Sequence, residues 1–569
     1  MMVFSYSLTP SKKQPIWVNY YAKFYKTVDL SQDLLYTLNC RILICILCFG
    51  TDDNPAKAAV FGDFLRFCAP SSIKYEIKIT AFERTMTMDI INPEVYSLHM
   101  GKAMCAVDLG DGSERGEYVN QDYILNKLGR PHRAVNLMYC YYPLDKGWPV
   151  RASVAFPPED KTNAWGYPYD DYFPYRGGLE GKKDDPVFEQ MRDIRRHGQD
   201  VILTLTVDPA VSDEHLIAIA KDLLPFGRIM IRINHEATGS WFSFNKRASY
   251  KEVADFFARF ARIIHKYAPN VKTILCAGAT GEERDNPEKI GMEELFLEAA
   301  KETDIWSIDK YMSLHWGWPN DVALKGGHSH GYTGAQPVYD CCKATYERYK
   351  EITGMDKPMV MSEHNADGDV TGPYDQCKIF RRFCDMLVEN KGSWLTGFTM
   401  YQFRDRGRLG LEWEDPNNPE VGIELPLLRE YRDIIHSEWF SPEMTVGGKL
   451  ALPAKLRWGG SEDAEGIAIP LNFEKDPVFC ELTFDEDDNS NLMLEINGRW
   501  FYKSPSCHYI DLMPAFFDKK IEPNASLTLK IFAPPASGEN APGEVDCYSV
   551  IEKLPKIRID YEPPIPFSI

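Results

Sequence analysis

Two glutamates carry the chemistry this sequence can do. Glu236 closes the apolar run RIMIRINHE and Glu363 closes KPMVMSEH, and both runs read as β-strands. Paired carboxyls are what cleavage of a glycosidic bond requires, one protonating the leaving oxygen while the other attacks the sugar or activates water. Side chains alternate along a strand, so Met230, Arg232, Asn234 and Glu236 share one face of the first run, opposite Ile229, Ile231 and Ile233. By the same count Met359, Met361 and Glu363 share one face of the second, opposite Val360 and Ser362. Polar groups on an inward face are costly to bury unless paired or used. Arg232 therefore has two readings: a cation that keeps a nearby carboxylate charged, or half of a buried ion pair with Asp309. Tyr311, two residues past Asp309 in IWSIDKYMS, is placed to donate a hydrogen bond to Glu363. A retaining glycosidase needs its carboxyl groups about 5–5.5 Å apart, with environments that keep one protonated and the other ionised.

Residues so far apart in sequence need a scaffold that gathers strand ends. From Gly101 the chain alternates strand-like and helical runs: AMCAVDLG, RAVNLMYCYY, VILTLTVDP, RIMIRINHE, VKTILCAGA, IWSIDKYMS, KPMVMSEH and WLTGFTMYQF, each followed by an amphipathic stretch. Eight such units predict an α/β fold, a (β/α)8 TIM barrel over residues 100–440, with chemistry at the C-terminal strand ends. Strands four and seven then face each other across the mouth. An open doubly wound sheet is the alternative, but Gly110, Gly112 and Gly116 miss its phosphate-turn spacing. From Ser441 short alternating segments such as EGIAIPLNF and SLTLKIFA, separated by Pro, Gly and Asp, predict an antiparallel β-sandwich domain over 441–569.

Residues 1–99 form a poorly defined segment. Leu34–Phe49 is apolar but interrupted by Asn39 and Arg41, and it falls short of the roughly 20 residues that span a bilayer. A packed helix is the preferred reading over a membrane anchor. A third reading is a gene-model extension, since in-frame methionines follow at 86, 88 and 100; loss of residues 1–85 is then expected to leave a folded protein. The 569-residue chain has a formal net charge of -19, which disfavours nucleic acid and acidic membrane surfaces as partners. A neutral polymer fits better, and 13% aromatic residues supply rings for stacking on sugars as well as for the core. The 14 cysteines fall largely in apolar runs, as buried free thiols do. With no apolar signal-peptide core at the start, a cytoplasmic protein is expected.

The phrase RINHEATGSWFSF (Arg232–Phe244) resembles the fourth-strand motif of clan A glycoside hydrolases, most closely family 26. There His-Glu is followed by Gly and Trp-Phe. VMSEH and IWSIDKY are similar to that family's seventh and sixth strands. The resemblance covers Gly101 to Glu438 and implies a retaining endo-β-glycosidase working by double displacement. It makes Glu236 the acid/base and Glu363 the nucleophile, with His235, Trp241 and Phe242 shaping the sugar site and Asn234, Arg232, Asp309 and Tyr311 around it. The implied substrate is a β-linked polysaccharide or oligosaccharide, β-mannan first, then β-glucan, xylan or galactan. Neither cofactor nor metal is implied. Ala237-Thr238 stand where the family has Met-Asn, and strand eight, FTMYQF, lacks the tryptophan that floors the cleaved sugar's subsite.

Other features allow two readings each. The long second loop carries Trp148, Trp165, Tyr167 and Tyr172, either stacking platforms or a self-packed lid. Trp316 and Trp318 in the sixth loop are further platform candidates. His328 and His330 lack a matched third metal ligand. Arg404, Arg406 and Arg408 either recognise an acidic sugar or pair with Asp405, Glu412 and Glu414, and pairing is preferred. Asp485–Asn491 reads as an acidic turn rather than a calcium loop. The sandwich is expected to be a structural partner joined through Trp439 and Phe440. Of Trp500, Phe501 and Tyr502, at least one must enter its core. The rival function is a catalytically silent carbohydrate-binding barrel. A lyase or aldolase would call for an inward lysine or a metal cluster.

Overall fold

The computed structural model divides the chain into Met1–Glu83 and Arg84–Ile569. It describes residues 87–90, 93–111, 118–149, 172–239, 242–278, 292–314, 333–537 and 540–561, all in the second unit. The readings made on residues 1–85 lie outside the described residues. So do those on Trp165, Tyr167, Trp241, Trp316, Trp318, His328 and His330.

Two strands come first, β1 (Thr87–Ile90) and β2 (Tyr96–Met100). Eight parallel strands then close a barrel: β3 (Ala106–Gly110), β4 (Ala134–Tyr141), β5 (Asp200–Val207), β6 (Ile229–Ile233), β7 (Val271–Cys276), β8 (Ile305–Asp309), β9 (Met359–His364) and β10 (Leu395–Met400), with β10 pairing back onto β3. A helix follows each in turn: α1 (Gln121–Leu128), α2 (Pro186–Arg196), α3 (Asp213–Leu223), α4 (Tyr250–Tyr267), α5 (Leu297–Glu302), α6 (Ala335–Thr353), α7 (Pro373–Glu389) and α8 (Pro426–Ile435). The fold is the expected TIM barrel. Helix α4 shows how local sequence sets an element. Ser249 and Glu252 cap its start reciprocally, and Val253, Phe256, Phe257, Phe260 and Ile264 are buried at helical spacing.

Ile229, Ile231 and Ile233 of β6 pack outward among the helices, while Met230 joins Ala134, Ile202, Ile274 and Val360 in an apolar layer inside the barrel. The alternation read for β6 is the one observed. For β9 it differs: Met359 and Met361 belong to the outer core, and Val360 points inward. Glu363 nevertheless reaches the interior, because β9 carries an extra residue. Ile308 pairs with Met361 but Asp309 pairs with Glu363, and a matching shift occurs against β10 between Phe398 and Met400. A bulge re-aims the side chains that follow it. Ser362 and Glu363 therefore both bond to inward residues of the barrel, to Ser307 and Arg232 respectively.

The tail forms two sheets, but not from the tail alone. β1 pairs with β13 (Lys556–Asp560) in a four-stranded sheet, and β2 lies between β11 (Met444–Lys449) and β12 (Asp463–Phe473) in the larger one. Strands from residues 87–100, read from sequence as part of the N-terminal segment, thus pair into the sheets of the tail. Ile467, Ile469, Leu494, Leu529 and Ile531 face the smaller sheet. On the opposite face Leu98, Met100, Trp458, Met493, Trp500 and Phe532 cluster with Leu125 of α1. Trp500 and Tyr502 look toward the barrel and Phe501 toward the sandwich core. The sheet is seated on the loops that precede β4, β5 and β6. Trp500 N–H donates to Gly129 O at 2.8 Å, Ser461 Oγ to Arg133 O at 2.6 Å, and the Tyr502 ring lies 3.8 Å from that of His197. Phe440 is buried at the junction and Trp439 partly so. This seam is at the N-terminal strand ends, away from the mouth.

Under the seam, Asp200 holds Arg195 at 2.9 Å with neither side chain exposed, and Arg228 at 2.8 Å. No helix among the described residues is long and apolar enough to cross a membrane, and the cysteines among them are free.

Arg195→Met leaves Asp200 buried with one cation fewer and is expected to cost about 3–5 kcal/mol, read from urea unfolding; a loss below about 1 kcal/mol would show the pair to be dispensable. A fragment starting at Ser441 lacks the strand between β11 and β12 and should aggregate through those edges. Fusing residues 87–100 to it should restore a monomer with a cooperative melt, and a well-folded monomer without them would refute this account of the sandwich.

Candidate active site

The turn after β6 presents the first glutamate. Asn234 (φ 44°) and Glu236 (φ 48°) both adopt left-handed backbone, which is uncommon outside glycine and concentrates at functional sites. Asn234 is held there by its own side chain. Its Oδ1 accepts from Val207 N at 2.6 Å and its Nδ2 donates to Val207 O at 3.1 Å, a substitute for the strand pairing that ends at Ile233. His235, 2% exposed, is wedged edge-on against Phe242 with ring centres 4.8 Å apart. Burial, and then the charge of Arg232, drive its pKa well below the ordinary histidine value, so the imidazole is neutral. Glu236 emerges from this turn half-buried.

The second glutamate is gripped from below and from the side. Arg232 is fully buried, and its Nη2 donates to Glu363 Oε1 at 2.7 Å. Its Nη1 reaches both oxygens of Asp309 at 3.0 Å, and its Nε donates to Thr204 Oγ1 at 2.8 Å, which in turn donates to Asn136. Burial disfavours the guanidinium's charge, but Asp309 and Glu363 outweigh it and its pKa is raised. Tyr311 donates to Glu363 Oε2 at 2.7 Å; burial, then the Glu363 charge, push the phenol well up, so it keeps its proton. Ser362 Oγ donates to Asp309 Oδ1 at 2.7 Å. Glu236, Asp309 and Glu363 bring carboxylate oxygens within 4.8 Å of one another. Three acids so close invite a cation, and the Arg232 guanidinium already fills that role for Asp309 and Glu363.

The structure thus gathers Arg232, Asp309, Tyr311, Glu236 and Glu363, and it sets others apart. Asn234 is spent on Val207 and Phe242 is fully buried, stacked on Phe244 at 5.1 Å; both were expected to contact sugar, and neither presents itself at the surface. His235 is likewise enclosed, its Nε2 3.8 Å from Glu363 Oε1. At the two ends of the second loop Trp148 packs edge-on against Tyr141 and Tyr172 is buried near His235. The three loop arginines pair, as preferred: Arg404 with Glu412 at 3.0 Å, Arg406 with Glu414 at 3.4 Å, and Arg408 with Asp369 at 3.6 Å, which lies outside that loop. In the Asp485–Asn491 turn the Lys503 ammonium bonds Asp488 and the Ser490 carbonyl.

Two neighbours escaped the sequence reading. Tyr401, at the end of β10, packs edge-on against Tyr311 with centres 6.0 Å apart, at the strand-eight position noted for lacking tryptophan. Cys276 ends β7; its buried thiol, pushed well up by desolvation, lies close enough to feel Asp309 and Arg232 and takes the Glu236 N–H. Only the strand-end position could have signalled either.

No family model matches this chain, and no curated protein matches it. Similar solved structures are glycoside hydrolases at low identity. A family 26 β-mannanase from Bacteroides ovatus is 12% identical over 60% of this chain and 90% of its own, with a TM-score of 0.35. A glucosidase from Croceicoccus marinus is 10% identical over 76% and 96% (TM-score 0.38). A family 51 α-L-arabinofuranosidase from Bifidobacterium longum is 10% identical over 78% and 99% (TM-score 0.39). Likeness this distant leaves function to the residues themselves.

Arg232→Met would leave Asp309 and Glu363 buried without their cation, at a cost of about 3–5 kcal/mol near neutral pH. Uncompensated carboxylates favour their protonated forms in the folded state, so the folded protein then binds more protons than the unfolded chain and loses stability as pH rises. The variant's deficit in urea unfolding should therefore be larger at about pH 8 than at about pH 5. An equal deficit at both would show that Arg232 acts by packing alone.

Proposed function

We propose that this protein is a retaining endo-β-glycosidase in which Glu363 is the nucleophile and Glu236 the acid/base. The observation that carries the reading is the pair itself: two glutamates at the C-terminal ends of strands four and seven, with oxygens no more than 4.8 Å apart. Retaining enzymes place their carboxyls about 5–5.5 Å apart, whereas inverting ones leave about 6.5–9.5 Å for water. Spacing of this kind supports double displacement.

The surroundings divide the roles. Glu363 receives a donor on each oxygen, one from a cation, which is the hydrogen bonding of a carboxylate. A carboxylate so oriented attacks the anomeric carbon and is displaced in the second step. Glu236 stands half-buried on the turn that Asn234 and His235 hold, a setting suited to a proton donor that returns as base to activate water. Tyr401 and Tyr311 supply an aromatic floor beside the nucleophile. The substrate is a β-linked polysaccharide; β-mannan is the first to test on the resemblance of Arg232–Phe244, followed by β-glucan, xylan and galactan.

Hydrolysis of one dyed polysaccharide from that panel is expected, with retention at the anomeric carbon by NMR. Glu363→Ala should abolish turnover even of activated glycosides, and a 2-fluoro glycoside should label Glu363. Glu236→Ala should cost roughly a hundred- to ten-thousand-fold on poor leaving groups and recover partly with azide. Inversion, or a label elsewhere, would reassign the mechanism. Polysaccharide binding without hydrolysis across the panel would favour the silent carbohydrate-binding barrel.

A further inference from the structure

A second polar cavity lies at the opposite end of the barrel. It has a volume of about 290 Å³ and runs along the seam between the loop before β4 and the larger sheet of the sandwich. Arg130 and His436 line it from the barrel; Glu462, Glu495, Trp500 and Lys530 line it from the sandwich. Half-buried Ser441, Pro442 and Met444 edge it.

Most of its charges already have partners. Arg133 donates to Asp108 through Nε and Nη2, and Lys530 sits 2.5 Å from Glu495 Oε2, whose Oε1 accepts from Gly498 N. His132 and His436, driven down to about 3 and about 4 by burial, carry no charge at neutral pH. Two groups are left over. Arg130 spends Nη1 and Nε on the Ile435, Phe440 and Pro131 carbonyls and Ser441 Oγ, but Nη2 donates to none of the described residues. Glu462 is 5% exposed. Arginines, Arg133 first, influence its carboxylate only through space, and burial raises its pKa, yet it accepts no hydrogen bond from the described residues. Neither the Glu462 oxygens nor the Arg130 Nη2 is among the enclosed polar atoms without a partner, so both open onto the cavity they line, where groups of this charge call for hydrogen-bond partners.

From these walls we infer that the seam cavity is a binding site for a neutral, polyhydroxylated ring of monosaccharide size, bridging barrel and sandwich. An anion would meet Glu462 and Glu495, and a cation would meet Arg130 and Lys530. A ligand whose hydroxyls both donate and accept satisfies Glu462 and the Arg130 Nη2 together. Trp500, 9% exposed, supplies an aromatic wall of the kind sugar rings pack against. Nothing in this inference depends on the chemistry at the mouth.

Full-length protein would be titrated with glucose, mannose, galactose and xylose, following the melting temperature and calorimetric heat. At least one sugar should raise the melting temperature saturably, as a ligand of the folded state must, rather than in the unsaturating manner of an osmolyte. The effect should persist in Glu363→Gln, which alters only the mouth. It should weaken by about tenfold or more in Glu462→Gln, which removes a charged acceptor. Glu462→Asp, which keeps the charge but withdraws it, replaces the Gln variant if that fails to fold and should show the same loss. The inference is overturned if none of these sugars saturates, or if the effect survives at Glu462 and vanishes at Glu363. Saturation only by inorganic phosphate or by putrescine, run as charged controls, would overturn it equally.

Discussion

The barrel is organised around one buried guanidinium. Arg232 has no solvent contact, and a lone charge there would be prohibitively costly. It must be met by anions held at hydrogen-bond distance, and the chain supplies them from two other strands, Asp309 from β8 and Glu363 from β9. That requirement sets the register of the interior. Thr204 and Asn136 satisfy the remaining Nε donor, and Ser362 and Ser307 lock Asp309 in turn. A connected set of bonds runs from β4 round to β9, so the residues near the mouth inherit the rigidity of the layer beneath them. The apolar layer of Met230, Ile202 and Val360 below keeps water from competing.

The same constraint explains what could be read from sequence. The eight βα repeats and the inward Arg232 follow from alternation, because β6 is regular over Ile229–Ile233, whereas Glu236 lies past its end in a left-handed turn that alternation does not describe. The aim of Glu363 follows from nothing so local. Strict alternation pairs it with Met359 and Met361, yet those methionines face the helices, and only the extra residue in β9 turns the glutamate inward. A bulge depends on pairing with both neighbouring strands, which no single run of sequence displays. The surroundings of Asn234 and Phe242 were hidden for a related reason. Each has a residue type suited to sugar contact, but Asn234 is needed to complete the Val207 strand end and Phe242 to fill the space beside His235.

The sandwich was legible as a fold but not in its membership. Its large sheet is buried on both faces, one against the smaller sheet and one against the barrel, so the strand Leu492–Ile496 is buried throughout rather than alternating. Such a sheet needs an inner strand between β11 and β12, and the chain takes it from residues before the barrel. Weak patterning around residues 87–100 is the consequence. A short strand completed by distant partners carries little local signal. The barrel is therefore enclosed by strands from both sides of it in sequence, and its N-terminal strand ends are tied to the sandwich by backbone bonds such as Trp500 to Gly129.

Rigidity is not evenly shared at the mouth. Glu363 sits in a cage of donors with each oxygen fixed, whereas Glu236 hangs from a left-handed turn with its neighbours Asn234 and His235 immobilised by Val207 and Phe242. Restraint is thus applied to Glu363 through its carboxylate and to Glu236 through its backbone. The difference suits the roles proposed for them. A nucleophile must meet one carbon along one line, so its oxygens are worth fixing. A group that gives a proton to the leaving oxygen and later takes one from water must keep its place through both steps, and a backbone held at Asn234 and His235 provides that.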